Sequence, residues 1–252
     1  MRSTLFILAL SFGLTSVSAA PSGPLGDSWE SIAMLPDISG PWEYISQSRE
    51  ARAVPQLTPK YAVIMAELNE IYSRESRDVP SNTKLCIPTG PMMTAPFVLY
   101  EFLLTPGLIT VTPDNNEVRR IYTDGRSHPE NPELSFNGHS IGHWENDTLV
   151  VDTVGLRPES EFYHAFRSGE GNATVRIIER FQLSGDGSLR DEVTMTSPVV
   201  FTAPYSYVLN YKRSPWPMRE QVCAQNNLAV DPFSGGQIFP DEPGDSVTVL
   251  PR

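Results

Sequence analysis

His139-Ser140-Ile141-Gly142-His143-Trp144-Glu145-Asn146-Asp147-Thr148-Leu149-Val150-Val151-Asp152-Thr153-Val154 reads as two strands joined at Asn146-Asp147. Asn and Asp tolerate the positive φ that tight hairpin turns demand. Folding about that turn sets Glu145 opposite Thr148, Trp144 opposite Leu149 and Ile141 opposite Asp152. Side chains alternate across a strand. One face therefore carries Ser140, Gly142, Trp144, Leu149, Val151 and Thr153, apolar enough to meet a core. The other carries His139, Ile141, His143, Val150, Asp152 and Val154. On it His139 and Asp152 are diagonal neighbours, a spacing that long side chains bridge. A carboxylate there fixes the imidazole tautomer and raises its pKa. In the alternative, His139 simply donates to a backbone carbonyl.

The same texture extends on both sides. Short runs rich in β-branched and aromatic residues predict strands near Phe97–Leu104, Leu108–Thr112, Val118–Thr123, Thr174–Leu183, Leu189–Thr196 and Tyr205–Tyr211, with turn chemistry at Asn115-Asn116 and Gly185-Asp186-Gly187. An uninterrupted series of this kind argues for a mainly β chain, an antiparallel sheet curled into a barrel or sandwich. Upstream, Ser39-Gly40-Pro41-Trp42-Glu43-Tyr44 looks like a first strand. One helix is expected over Thr58–Arg77, with Thr58 able to cap it, Pro59 in its first turn and Ala62, Met65, Ala66, Leu68, Asn69 and Tyr72 near helical spacing. The resulting division is a single β domain over 39–228 with a helical insertion at 58–77, preceded by an extended arm at 20–38 and followed by a tail at 229–252.

The chain of 252 residues carries a formal charge of −11, which leaves too few cations to neutralise a phosphate backbone and argues against a nucleic-acid partner. Arg2, the apolar run Leu5–Leu14 and the small residues Val17-Ser18-Ala19-Ala20 read as a signal peptide over 1–19, so the expected location is secreted or periplasmic. That run is too short to span a membrane, which takes about 20 residues, and no later stretch is long enough. In an oxidising compartment Cys86 and Cys223 can form a disulfide; the alternative is two buried thiols. No metal site is expected. His139 and His143 suit a metal only on a helix, whereas on a strand they stand about 13 Å apart. G-x-S-x-G, P-loop and GxGxxG settings are absent from the sequence.

Two further clusters carry polar chemistry. In Arg119-Arg120-Ile121-Tyr122-Thr123-Asp124-Gly125-Arg126-Ser127-His128-Pro129, one strand face holds Arg120, Tyr122 and Asp124, and the turn presents Arg126 and His128. This is either a platform for a carboxylate, enolate or phenolate or a loop staple made by Asp124 and Arg126 through side-chain to backbone bonds. Glu179 shares a strand face with Val175, Ile177 and Phe181. Such an acid is either paired with an arginine or kept protonated in a cavity.

The run Arg120-Ile121-Tyr122-Thr123-Asp124-Gly125-Arg126-Ser127-His128-Pro129, followed by Gly138 to Thr153, resembles the signature of a large family of exported bacterial proteins. The likeness extends from about Ser39 to Asn227 and includes both cysteines. It departs at His143, where the family pattern has Arg, and at Arg176, where it has His. Ser39-Gly40-Pro41-Trp42 also resembles the opening of lipocalin-like barrels. These resemblances imply an exported, lipocalin/calycin-like antiparallel barrel with a ligand cavity, and no particular activity. The expectation for such a barrel is that it holds a small, largely apolar ligand with a polar head and needs no cofactor. His139, Asp152, Tyr122, Arg120 and Glu179 are then expected in its mouth or lumen, with Asp124, Arg126, His128 and Trp144 as further ligand contacts. A His–Asp pair beside a phenol suits proton-shuttle chemistry of isomerase, cyclase or hydratase type. The competing expectation is a structural or protein-interaction module of the cell envelope.

Overall fold

The computed structural model describes residues 24–47, 54–75, 88, 90–93, 98–114, 118–160, 169–218, 229–230 and 237–238. Residues 1–19, where a signal peptide is expected, and Cys86 and Cys223 lie outside the described residues.

Nine strands close into one barrel: β1 (Gly40–Gln47), β2 (Leu99–Thr105), β3 (Leu108–Pro113), β4 (Arg119–Tyr122), β5 (His139–Glu145), β6 (Thr148–Val154), β7 (Arg176–Leu183), β8 (Leu189–Thr196) and β9 (Tyr205–Arg213). Neighbours follow sequence order, and β1 pairs with β9 to seal the cylinder. Closure leaves no free sheet edge among these strands. The expected mainly β barrel with one long helix, α2 (Pro59–Glu75), is thus the fold observed.

The β5–β6 hairpin has the register read from the sequence, with Glu145 opposite Thr148 and Ile141 opposite Asp152. Asn146 takes φ 53°, as its turn position requires. Alternation then fills the interior. Trp42, Phe102, Ile121, Leu149, Val151, Ile177, Phe181, Val193 and Tyr211 are all buried there, with the Phe102 and Phe181 rings edge to face at 5.6 Å between centroids.

Three expectations need correction. The sheet is not wholly antiparallel: β4 and β5 run parallel, Ile121 against Ser140 and Tyr122 against Ile141. Two parallel neighbours need a long connection to bring the chain back to the starting end, and residues 123–138 supply it. The arm is not extended throughout. It contains the helical turn α1 (Trp29–Ile32), capped by reciprocal Ser28 and Ser31 bonds. The Gly26 carbonyl accepts from the Gly107 N–H, seating this segment over the β2–β3 turn. On α2, Tyr61, Ile64 and Met65 face the core, while Ala62, Ala66 and Asn69 are exposed. The physical reason is Tyr61, a large ring that packs so closely on Gly171 that a Cβ there would lie 2.4 Å from its hydroxyl. Within the expected tail, β10 (Ala229–Val230) pairs with β11 (Gln237–Ile238). Among the described residues no helix is long and apolar enough to cross a membrane.

Candidate functional site

The connection 123–138 does not leave the barrel. Ser135 is tied to the strand-exit segment by its N–H to the Gly155 carbonyl and by the Arg157 N–H to its own carbonyl, and the Ser160 hydroxyl donates to the Phe136 carbonyl. The chain then re-enters β5 through Gly138, whose φ is +65° and whose missing Cβ would lie 2.6 Å from the Val154 carbonyl oxygen. No other residue type fits both conditions. Between this connection and the outer face of β4 and β5 lies a cleft of about 440 Å³, lined by Val118, Arg120, Tyr122, Phe136, Asn137 and His139 among others.

At its wall the side chains form a chain of contacts. The Nδ1 atoms of His128 and His139 are 2.8 Å apart. His128 Nε2 lies 3.6 Å from Asp152 Oδ2, within ion-pair range though longer than a hydrogen bond. Asp152 is held on its other side by Arg176, whose Nε donates to Oδ1 at 2.8 Å and whose Nη2 pairs with Oδ2. The His139 ring stacks on Tyr122 at 5.4 Å between centroids. Arg126 covers the same phenol at 3.9 Å while donating to both carboxylate oxygens of Asp124. The staple reading of Asp124 and Arg126 is therefore the observed one, and it also clamps Tyr122.

This geometry alters the sequence reading in four ways. The His139 and Asp152 side chains share a face, but it is the outside of the barrel, so they line neither lumen nor mouth. They are coupled through His128 rather than directly. The His139 pKa is lowered, not raised: partial burial is the largest cause, followed by the neighbouring His128 and Arg126, with no carboxylate beside the ring to oppose them. Finally, Trp144 belongs to the interior face, 8% exposed, where it packs near Gly26 of the arm and not in the cleft. Arg120 and Tyr122 do line the cleft, as an outer pair. Arg176 falls on the Asp152 contact, while His143 is exposed and bonds Glu145 at 3.1 Å.

Glu179 is on the inside, 0% exposed, and its partner is Arg119, 3% exposed. The guanidinium meets both carboxylate oxygens, at 2.9 Å on Oε1 and through Nη2 on Oε2, and also donates to Thr153 Oγ1 at 3.0 Å, Ser140 Oγ and the Pro91 carbonyl. Burial works against the charge on Arg119, but Glu179 more than compensates. The sequence reading singled out Arg120 and passed over Arg119. The signal was present: Arg119 shares strand parity with buried Ile121, just as Glu179 does with Ile177 and Phe181.

Asp191 was missed for the same reason, standing between inward-facing Leu189 and Val193. It is 0% exposed, opposite Phe181 and Leu209, so Glu179, Tyr207 and Tyr211 are its diagonal neighbours. Burial first, and Glu179 second, hold its carboxyl well above the usual range. Tyr207 and Tyr211 are likewise pushed up, by burial and then by Asp191. The neutral form of Asp191 is thereby favoured over a second buried negative charge in the barrel. Among the described residues no group of three or more His, Cys, Asp or Glu is placed to hold a metal ion.

No protein-family profile and no curated protein matches the chain. Among solved structures it is similar to the crystal structure of the wild-type fluorescent protein UnaG, at 14% identity over 70% of this chain and 97% of that one, with a TM-score of 0.33.

Proposed function

We propose that this is an exported protein that binds a small, largely apolar molecule with an anionic head in the outer cleft of the barrel. The observation that carries the reading is the state of Arg120. Arg126 and Arg176 are neutralised by Asp124 and Asp152, whereas the Arg120 side chain has no ion pair or hydrogen bond among the described residues. It stands in a cleft whose walls include the rings of Tyr122, Phe136 and His139. A volume of about 440 Å³ lies within the range of small-molecule sites, roughly 300 to 1,000 Å³. Apolar walls supply binding energy, and a single guanidinium supplies orientation, gripping a carboxylate by two parallel bonds. In a chain of net charge −11 such a local cation discriminates strongly between anionic and cationic ligands.

Thermal denaturation with a panel of small aromatic carboxylates tests this. A ligand at 100 times its Kd should add about 2.7 kcal/mol of stability. Arg120→Gln should leave the melting temperature of the free protein unchanged and weaken binding at least tenfold, because the residue is exposed and bonds no other described side chain. Equal responses to carboxylates and to their amides, or an unaltered affinity in Arg120→Gln, refute the assignment. Absence of any response across the panel supports the structural or interaction module instead.

A further inference from the structure

The hydrogen bond between two Nδ1 atoms has a chemical consequence. Only one of the two nitrogens can carry the proton. If His128 donated, its Nε2 lone pair would face the Asp152 carboxylate, a repulsive arrangement. The carboxylate therefore selects the other assignment: His128 carries its proton on Nε2 toward Asp152 and accepts at Nδ1, and His139 donates from Nδ1. His139 is left with an unprotonated Nε2 that has no hydrogen-bond partner among the described residues, on a ring that forms the cleft wall.

We propose that His139 Nε2 is a general base that removes a proton from the carbon next to a carbonyl in a small carboxylate-bearing ligand, an aromatic α-keto acid being the simplest member of the class. The proposal rests on the cleft being the ligand site. Arg120 holds the carboxylate. His139 takes the α-proton, so that the C–H bond breaks and an N–H bond forms; the freed electron pair becomes a C=C bond and the carbonyl π pair moves onto oxygen. Tyr122, whose hydroxyl has no partner among the described residues, donates to that oxygen as it becomes negative. Returning the proton to oxygen or carbon completes a keto–enol interconversion that consumes no co-reactant. The imidazolium formed on the way is stabilised through His128 to Asp152, which makes those two positioning residues.

Other reaction classes fit less well. A base alone does not make a covalent hydrolase, and Ser135, the cleft's hydroxyl nucleophile candidate, already donates to the Gly138 carbonyl at 3.1 Å. The base must also be neutral to act. Burial, His128 and Arg126 together lower the His139 pKa below its ordinary 6.5, which keeps it neutral at pH 7.

Phenylpyruvate is the probe. Its binding is read by thermal shift, its tautomerisation by ultraviolet absorbance, and exchange of its methylene protons in D₂O by NMR. The wild-type chain should accelerate exchange above the buffer rate. His139→Gln should reduce that acceleration at least tenfold with affinity changed less than threefold. Nitrogen-15 NMR of the histidines should show His139 as the Nδ1–H tautomer, the less common form of a free imidazole, and Asp152→Asn should both lose that signature and slow exchange. Binding without exchange overturns the base and leaves the binding site standing. No binding of phenylpyruvate overturns both. Exchange that survives in His139→Gln also overturns the proposal.

Discussion

Replacing Arg119 by Met should expose the cost of the inner ion pair and its dependence on pH. The side chain is similar in length, so the main change is electrostatic: Glu179, 0% exposed, loses its counter-ion. The cheapest response is for Glu179 to take up a proton. An ordinary Glu pKa is near 4.3, and each pH unit above it adds about 1.4 kcal/mol, giving a cost of about 3.7 kcal/mol at pH 7 and about 1 kcal/mol at pH 5. This agrees with the roughly 3 to 5 kcal/mol seen when one member of a buried pair is removed. The sign follows from linkage. In the variant the folded state holds a proton that the unfolded chain releases, so the deficit grows as pH rises above about 4.3. Urea unfolding followed by tryptophan fluorescence at pH 5 and pH 7 measures it. The double variant Arg119→Met with Glu179→Leu removes both charges and should recover most of the loss, since an apolar replacement of a whole pair is often neutral. A deficit independent of pH, or a double variant no better than the single one, would refute the claim that Glu179 depends on Arg119 for its charge.

Asp191→Asn should become relatively more stable than the wild type as pH rises above about 3.9, until the folded carboxyl itself ionises. The raised folded pKa of Asp191 means that the native chain keeps a proton that the unfolded chain loses above about 3.9, at up to about 1.4 kcal/mol per pH unit; parallel curves for the two proteins would contradict the buried neutral acid. His139 gives a slope on the acid side. Its lowered folded pKa makes its contribution complete above the unfolded value near 6.5 and lost as pH falls through the folded one, so His139→Gln should flatten the wild-type decline below pH 6.5. An unchanged decline in chemical denaturation between pH 7 and pH 5 counts against it.

Local information carried a good part of this protein. Two-residue periodicity with a turn of suitable chemistry set the β5–β6 register, because a one-residue slip would turn every core side chain outward. The same periodicity gave the series of strands that close the barrel, and the charge on an apolar face marked Glu179 as needing a partner. Parity also held the clue to Arg119, which shares its strand side with buried Ile121, and to Asp191, between inward-facing Leu189 and Val193.

Two things could not be read along the chain. Alternation puts His139 and Asp152 on the face opposite the apolar one, but only closure of the sheet into a barrel makes that apolar face the whole lumen and leaves the pair outside it. Nor does sequence spacing show that residues 123–138 return over the outside of β4 and β5, laying His128 between His139 and Asp152 and leaving a cleft beside them. A parallel pair forces a long connection, yet the place where that connection rests is set by the Ser135, Gly138 and Ser160 contacts with β6 and the segment after it. Those contacts join residues distant in sequence, so their energy exists only once the barrel has closed.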